Sequence, residues 1–163
     1  MANHLESRTF RCDVPNGPDD GTLRYIEAAG ACFEDLRAVT AQLGGLLLLA
    51  ASGARSAGPH HPMLAVAADL LDSAREATLR LAPCSARTRH HHDHLAAAVT
   101  RLTEALALVD AAPLDGDGLT EPMRRLNASW TELGAASRAL PGFDLIDLSG
   151  ACCAMHAPGL ATA

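Results

Sequence analysis

With 163 residues, a net charge of −6, and 48% hydrophobic against 20% charged residues, the chain suits one folded domain with a real core and excludes a disordered polymer. The acidic balance argues against a general phosphate-binding surface, whose mark is a basic stripe, and 3% aromatic content leaves little for a base-stacking platform. No nucleic-acid partner is expected.

Lysine is absent, so arginine carries every fixed positive side chain, and alanine and leucine dominate the apolar set. A GC-rich, bacterial-like genome imposes this kind of bias. Five cysteines without paired spacing fit the reduced thiols of a cytoplasm. The opening residues, MANHLESRTFRC, lack the charged-then-apolar order of a secretory signal. The most apolar run, LGGLLLLAA from Leu43 to Ala51, is about half the roughly 20 residues that a bilayer crossing needs. A cytoplasmic protein without membrane contact is expected.

Residues 1–21, which include VPNGPDDG and carry His4 and Cys12, read as an irregular arm. Residues 22–141 contain four segments whose apolar positions recur at alternating steps of three and four, the spacing of helices packed at small crossing angles. The first stripe is Ile26, Ala29, Phe33, Leu36, Thr40, Leu43, Leu47 and Ala50. Its helix, about 30 residues or roughly 45 Å long, can kink at Gly44-Gly45, which together cost about 2 kcal/mol of helix propensity. SGARSAGPHHP closes it with glycine, and Pro62 opens the second helix, striped by Leu64, Ala67, Leu71, Ala74, Thr78 and Leu81.

APCSA breaks the chain at Pro83, and Ser85 is expected to cap the third helix, striped by Leu95, Val99, Leu102, Leu106 and Val109. After the breaker-rich APLDGDGLTEP, Thr120 is expected to cap the fourth, with Leu119, Met123, Leu126, Trp130, Leu133, Ser137 and Leu140 as its stripe. Residues 142–163 form a tail whose amphipathic part, Phe143 to Met155, is expected to dock on one end as a short helix or turn. No segment alternates with period two, and short connections make neighbours antiparallel. The predicted fold is therefore all-α, an up-down-up-down four-helix bundle.

RTRHHHDHL, Arg87 to Leu95, places four histidines and an aspartate in consecutive positions. Extending the third stripe backwards from Leu95 reaches His92 and Thr88, so His92 is expected to face the interior with His91 beside it. His90 and His94, four apart, share a more polar face with Cβ atoms about 6 Å apart, close enough to share one ion, and Asp93 can add an oxygen. The topology gathers Cys84, this cluster and the tail's Cys152, Cys153 and His156 at one pole, and sends His60 and His61 to the other. The candidate metal set is thus His90, Asp93, His94, Cys84, Cys152 and His156, with zinc, nickel or haem as candidate occupants. A solvated histidine turn holding no cofactor is the simpler expectation.

Trp130 is expected in the core, its indole N–H paired by Thr40, Thr78 or Ser137; with His91 and His92 it is a candidate for an internal pocket. Other motifs fall short. LDGDGLTEPMR lacks the glutamate of a calcium loop, and GACCAMH lacks the haem-attachment spacing. The Glu-x-x-His pairs of di-iron bundles, the nucleophile elbow and the phosphate loop do not occur. Without a complete catalytic constellation the balance leans against an enzyme. The expected function is a non-catalytic binding module whose partner is another protein or a second copy. A metal- or ligand-binding bundle, and a small enzyme using histidine acid–base chemistry, are the alternatives.

Overall fold

The computed structural model describes residues 19–53, 60–111 and 116–145. Among these are four α-helices and no strand: α1 Asp20–Ala51, α2 Pro62–Arg80, α3 Ala86–Ala111 and α4 Thr120–Ala139, with a 3₁₀ turn over Gly116–Leu119. Each helix packs on the next, α4 returns to α1, and α1 touches α3 across the diagonal. Cross-contacts give the directions. Cys32 of α1 meets Thr78 of α2, and Met63 lies beside Gly45, so α1 and α2 are antiparallel. Tyr25 meets His91 at the starts of α1 and α3, and Arg125 near the start of α4 reaches Glu104 late in α3. The up-down-up-down bundle follows.

The helix ends show why the segments stop where they do. Asp19 accepts the Thr22 N–H at 2.7 Å and starts α1 slightly ahead of the expected position 22. At its other end Gly53, at φ +80°, donates its N–H to the Ala50 carbonyl at 2.9 Å, a left-handed turn that suits glycine. The helix runs unbroken through Gly44-Gly45. Pro62 opens α2, with the His61 ring accepting the Met63 N–H. Ser85 and Thr88 cap α3 reciprocally: each hydroxyl accepts the other's backbone N–H, at 2.9 and 3.2 Å. At α4 the expectation fails, for Thr120 is the first helical residue and Leu119 stands at the cap position with helical backbone and no side-chain bond. The 3₁₀ turn feeds straight into the helix, and its carbonyls are available where a hydroxyl cap would otherwise serve.

The core runs from Phe33, Leu36, Leu43 and Leu47 of α1 to Leu71, Leu95, Leu102 and Leu133 of the other helices. After α4, Gly142 at φ +91° turns the chain back so that Phe143 packs edge-on against Phe33, with ring centroids 5.3 Å apart. The tail thus starts at the histidine pole. Its remainder, with Cys152, Cys153 and His156, lies outside the described residues, as does the arm 1–18 with His4 and Cys12.

Trp130 overturns its expectation: it is 39% exposed. Between the leucines of α4 the buried positions belong to Ser129 and Ala136, not to Trp130 and Ser137. α3 likewise buries Ala98 and Ala105. Small residues on both helices let the backbones close up, and an indole would hold them apart. The hydroxyls expected to pair the indole bond to backbone instead, Thr40 to Leu36, Thr78 to Ala74 and Ser137 to Gly134. No helix among the described residues is long and apolar enough to cross a membrane.

Candidate functional site

The first turns of α3 lie at the pole where α1 begins and where α2 and α4 end. Arg87 ties this end to α4 through the Ala139 carbonyl at 2.6 Å. Four successive helical steps of about 100° then send the histidines to different neighbours.

His91, not His92, takes the interior. It is 0% exposed, its Nδ1 lies 3.0 Å from the Tyr25 hydroxyl, and its ring packs against Phe143 at 4.2 Å between centroids. Burial, reinforced by nearby His94 and His92, lowers its pKa to about 4, so the ring is neutral. Burial likewise pushes the Tyr25 phenol far above its ordinary range, leaving an intact O–H. The other ring nitrogen of His91, Nε2, is buried without a hydrogen-bond partner among the described residues. An unmatched buried polar atom of this kind costs about 1–3 kcal/mol. His92 is displaced to the α2 side, where its Nε2–H donates to the Thr78 carbonyl at 3.1 Å, a second donor on a carbonyl that also accepts the Leu81 N–H at the end of α2. Asp93 projects outward, 71% exposed and 4.0 Å from His92.

His90 and His94 face α4. Their Nε2 atoms are 3.4 Å apart, and the rings cross at 73° with centroids 4.6 Å apart. Behind them Glu132 of α4 accepts the His94 Nδ1–H at 2.7 Å. Among the described members of the candidate metal set, these two have donor atoms that converge. Cys84 sits on the α1 side, its sulfur 3.8 Å from the Thr22 hydroxyl and 3.9 Å from that of Thr88. No group of three or more ligating side chains is arranged to hold an ion among the described residues. Glu132 was not singled out from the sequence. Its place opposite His94 follows only from the register of α4 against α3.

A different feature lies on the other side of α4. Arg37, Thr40, Ala41 and Gly44 of α1 face Leu126, Asn127 and Trp130 of α4 across a groove of about 580 Å³. Trp130 thus lines a surface groove with α1, and neither His91 nor His92 belongs to it. At the far pole, as the topology predicts, His60 and His61 line a second groove of about 510 Å³ with Leu106 and Asp110. The α1/α4 groove went unnoticed in the sequence, although a glycine inside a helix and a tryptophan on a helix rich in small residues were its signals.

The geometry defines an all-α bundle with one histidine-rich pole and grooves on the α1/α4 and α2/α3 seams. Comparison with models of protein families, with curated proteins and with solved structures yields no match.

Proposed function

We propose that the chain is a non-catalytic helical-bundle interaction module that pairs with a second copy of itself through the α1/α4 face. The observation that carries this reading is a knob beside a hole on one surface. Trp130 protrudes, and next to it the groove is floored by Ala41 and by Gly44, which has no side chain to fill it. A twofold interface uses the same patch on both copies, so it needs a projection and its receptacle side by side. At about 580 Å³ the groove is within the roughly 300–1,000 Å³ of clefts that receive ligand-sized groups, an indole included.

Two further features support it. The lining holds a single charged residue, Arg37, which is bound to Glu34 at 2.9 Å and donates to the Asp144 carbonyl. Depletion of charge is the compositional mark of interface centres, so the net charge of −6 lies elsewhere than on this face. Leu48, one turn beyond Gly44 on the same side of α1, is 67% exposed and continues the apolar strip. The histidines favour a non-catalytic reading, since His91 is sealed in the core and His92 is committed to a helix end.

Light scattering on the untagged chain tests this. The expected mass is twice the 17.0 kDa of one chain, returning to a single chain in Trp130→Glu with helical content unchanged. A wild type that stays at one chain mass up to high concentration, or a Trp130→Glu variant that still pairs, refutes it.

A further inference from the structure

We infer that His90 and His94 form a zinc-binding pair on the α3/α4 seam, with Glu132 orienting His94 from behind. Three features of the geometry support this, none of which depends on the proposed pairing of chains.

The first is a distance. Zinc binds imidazole nitrogen at about 2.0–2.1 Å in tetrahedral geometry, which sets two such nitrogens about 3.3–3.4 Å apart. The Nε2 atoms of His90 and His94 stand at 3.4 Å. A six-coordinate ion with similar bonds requires about 2.9–3.0 Å between neighbouring ligands, which the pair does not match.

The second is the tautomer. A ligating histidine commonly donates its other ring N–H to a carboxylate, which aims the ring and leaves the lone pair on the metal-facing nitrogen. Glu132 supplies this arrangement from a separate helix: with the His94 Nδ1–H donated to it at 2.7 Å, the lone pair of neutral His94 is on Nε2, the atom facing His90. Both His94 and Glu132 are mostly covered, with side chains 23% and 30% exposed, so the orientation is held by packing as well as by the bond.

The third is what the pair lacks without an ion. At 3.4 Å an N–H···N contact lies beyond the usual hydrogen-bond range and is weak. Zinc between the two nitrogens replaces it with two coordinate bonds, and the single N–H of neutral His90 passes from Nε2 to its exposed Nδ1. Among the described residues Asp93 points away and Cys84 lies on the α1 side, so neither supplies a third ligand. A site with two protein ligands binds reversibly and is distinct from a closed structural site with four.

The test uses the untagged full chain, stripped of metal and titrated with zinc chloride. The readouts are the imidazole nitrogen resonances and the melting temperature. The first equivalent is expected to move the His90 and His94 Nε2 signals together, ahead of those of His60 and His61, and to raise the melting temperature. His90→Ala and His94→Ala should each weaken uptake at least tenfold. Glu132→Gln, at a residue that does not ligate the ion, should weaken it about 10–100-fold with helical content retained. Because His90 is exposed, its replacement leaves the fold in place. Trp130→Glu should bind zinc like the wild type, so the fate of this site is separable from that of the proposed pairing. The inference is overturned if His90→Ala binds the first equivalent as tightly as the wild type, or if other histidines respond first.

Discussion

α4 meets α3 on one side and α1 on the other, and the two seams are built differently. Against α3 it presents Ser129, Leu133 and Ala136 to a helix that buries Ala98, Leu102 and Ala105, and the rim is closed by Arg125 between Glu104 and Glu121 and by the Glu132–His94 bond. Against α1 the opposed residues are Leu126 and Trp130 over Ala41 and Gly44, and a groove remains. Small residues on both sides of a seam close it. A large residue facing small ones, placed to the side, leaves a gap with an apolar wall. The same helix therefore carries one face whose job is stability and one that is free to bind.

The comparison can be broken most severely at Leu133, which is 0% exposed in the closed seam. Leu133→Ala should cost about 2–5 kcal/mol of unfolding free energy, read as a shifted urea midpoint. Trp130→Ala, three positions away on the open side, should cost less, about 1–2 kcal/mol at dilutions where the chain is single, since its ring is 39% exposed. If the two substitutions cost the same, the seams are not different.

Acid should act next most strongly, through the closed pole. The unfolded imidazole takes its proton near pH 6.5, and buried His91 only near 4. Between those values the unfolded chain binds more protons, so stability is full above about pH 6.5 and falls as the pH drops towards 4. The loss should reach roughly 2–3 kcal/mol in metal-free buffer. His91→Leu should flatten that limb of the stability profile, and an unchanged profile would place His91 in contact with water.

Overfilling gives a smaller effect. Ala136→Leu should destabilise by about 1–3 kcal/mol because the closed seam has no room. Gly44→Ala should do the reverse: the new methyl would meet Leu126 at an ordinary 3.6 Å. Helix propensity then favours the variant by up to about 1 kcal/mol. It should nevertheless weaken pairing of chains, because it raises the groove floor. A glycine that can be improved for stability but not for association is one kept for its hole.

Much of this was legible in the sequence, and the part that was not has one cause. Leu64, Leu71 and Thr78 in α2, Leu95, Leu102 and Val109 in α3, and Leu126 and Leu133 in α4 with Leu140 at its C-cap all recur at seven and are all buried. The intervening positions are where hydropathy misled. In α3 it favoured Val99 and Leu106, and in α4 Trp130 and Ser137, whereas packing also buries Ala98 and Ala105 and, in α4, Ser129 and Ala136 instead. The same one-residue step separates His91 from His92, and Tyr25 from Ile26. A periodic pattern says which side of a helix is apolar, but the distance to the next helix decides whether a large or a small residue fits at its centre. That distance also put Glu132 behind His94, a juxtaposition across two helices that no local spacing announces.

Because Trp130 is the only tryptophan, its fluorescence reports on the α1/α4 groove and nothing else. Dilution of the untagged chain from high to low concentration, with acrylamide quenching followed at each step, is the most direct measurement of the pairing. Seating of the indole in the partner's groove predicts blue-shifted, protected emission at high concentration that becomes red-shifted and readily quenched on dilution. Emission and quenching that stay constant, with the ring equally open to acrylamide throughout, would contradict the pairing and leave the groove without the occupant proposed for it.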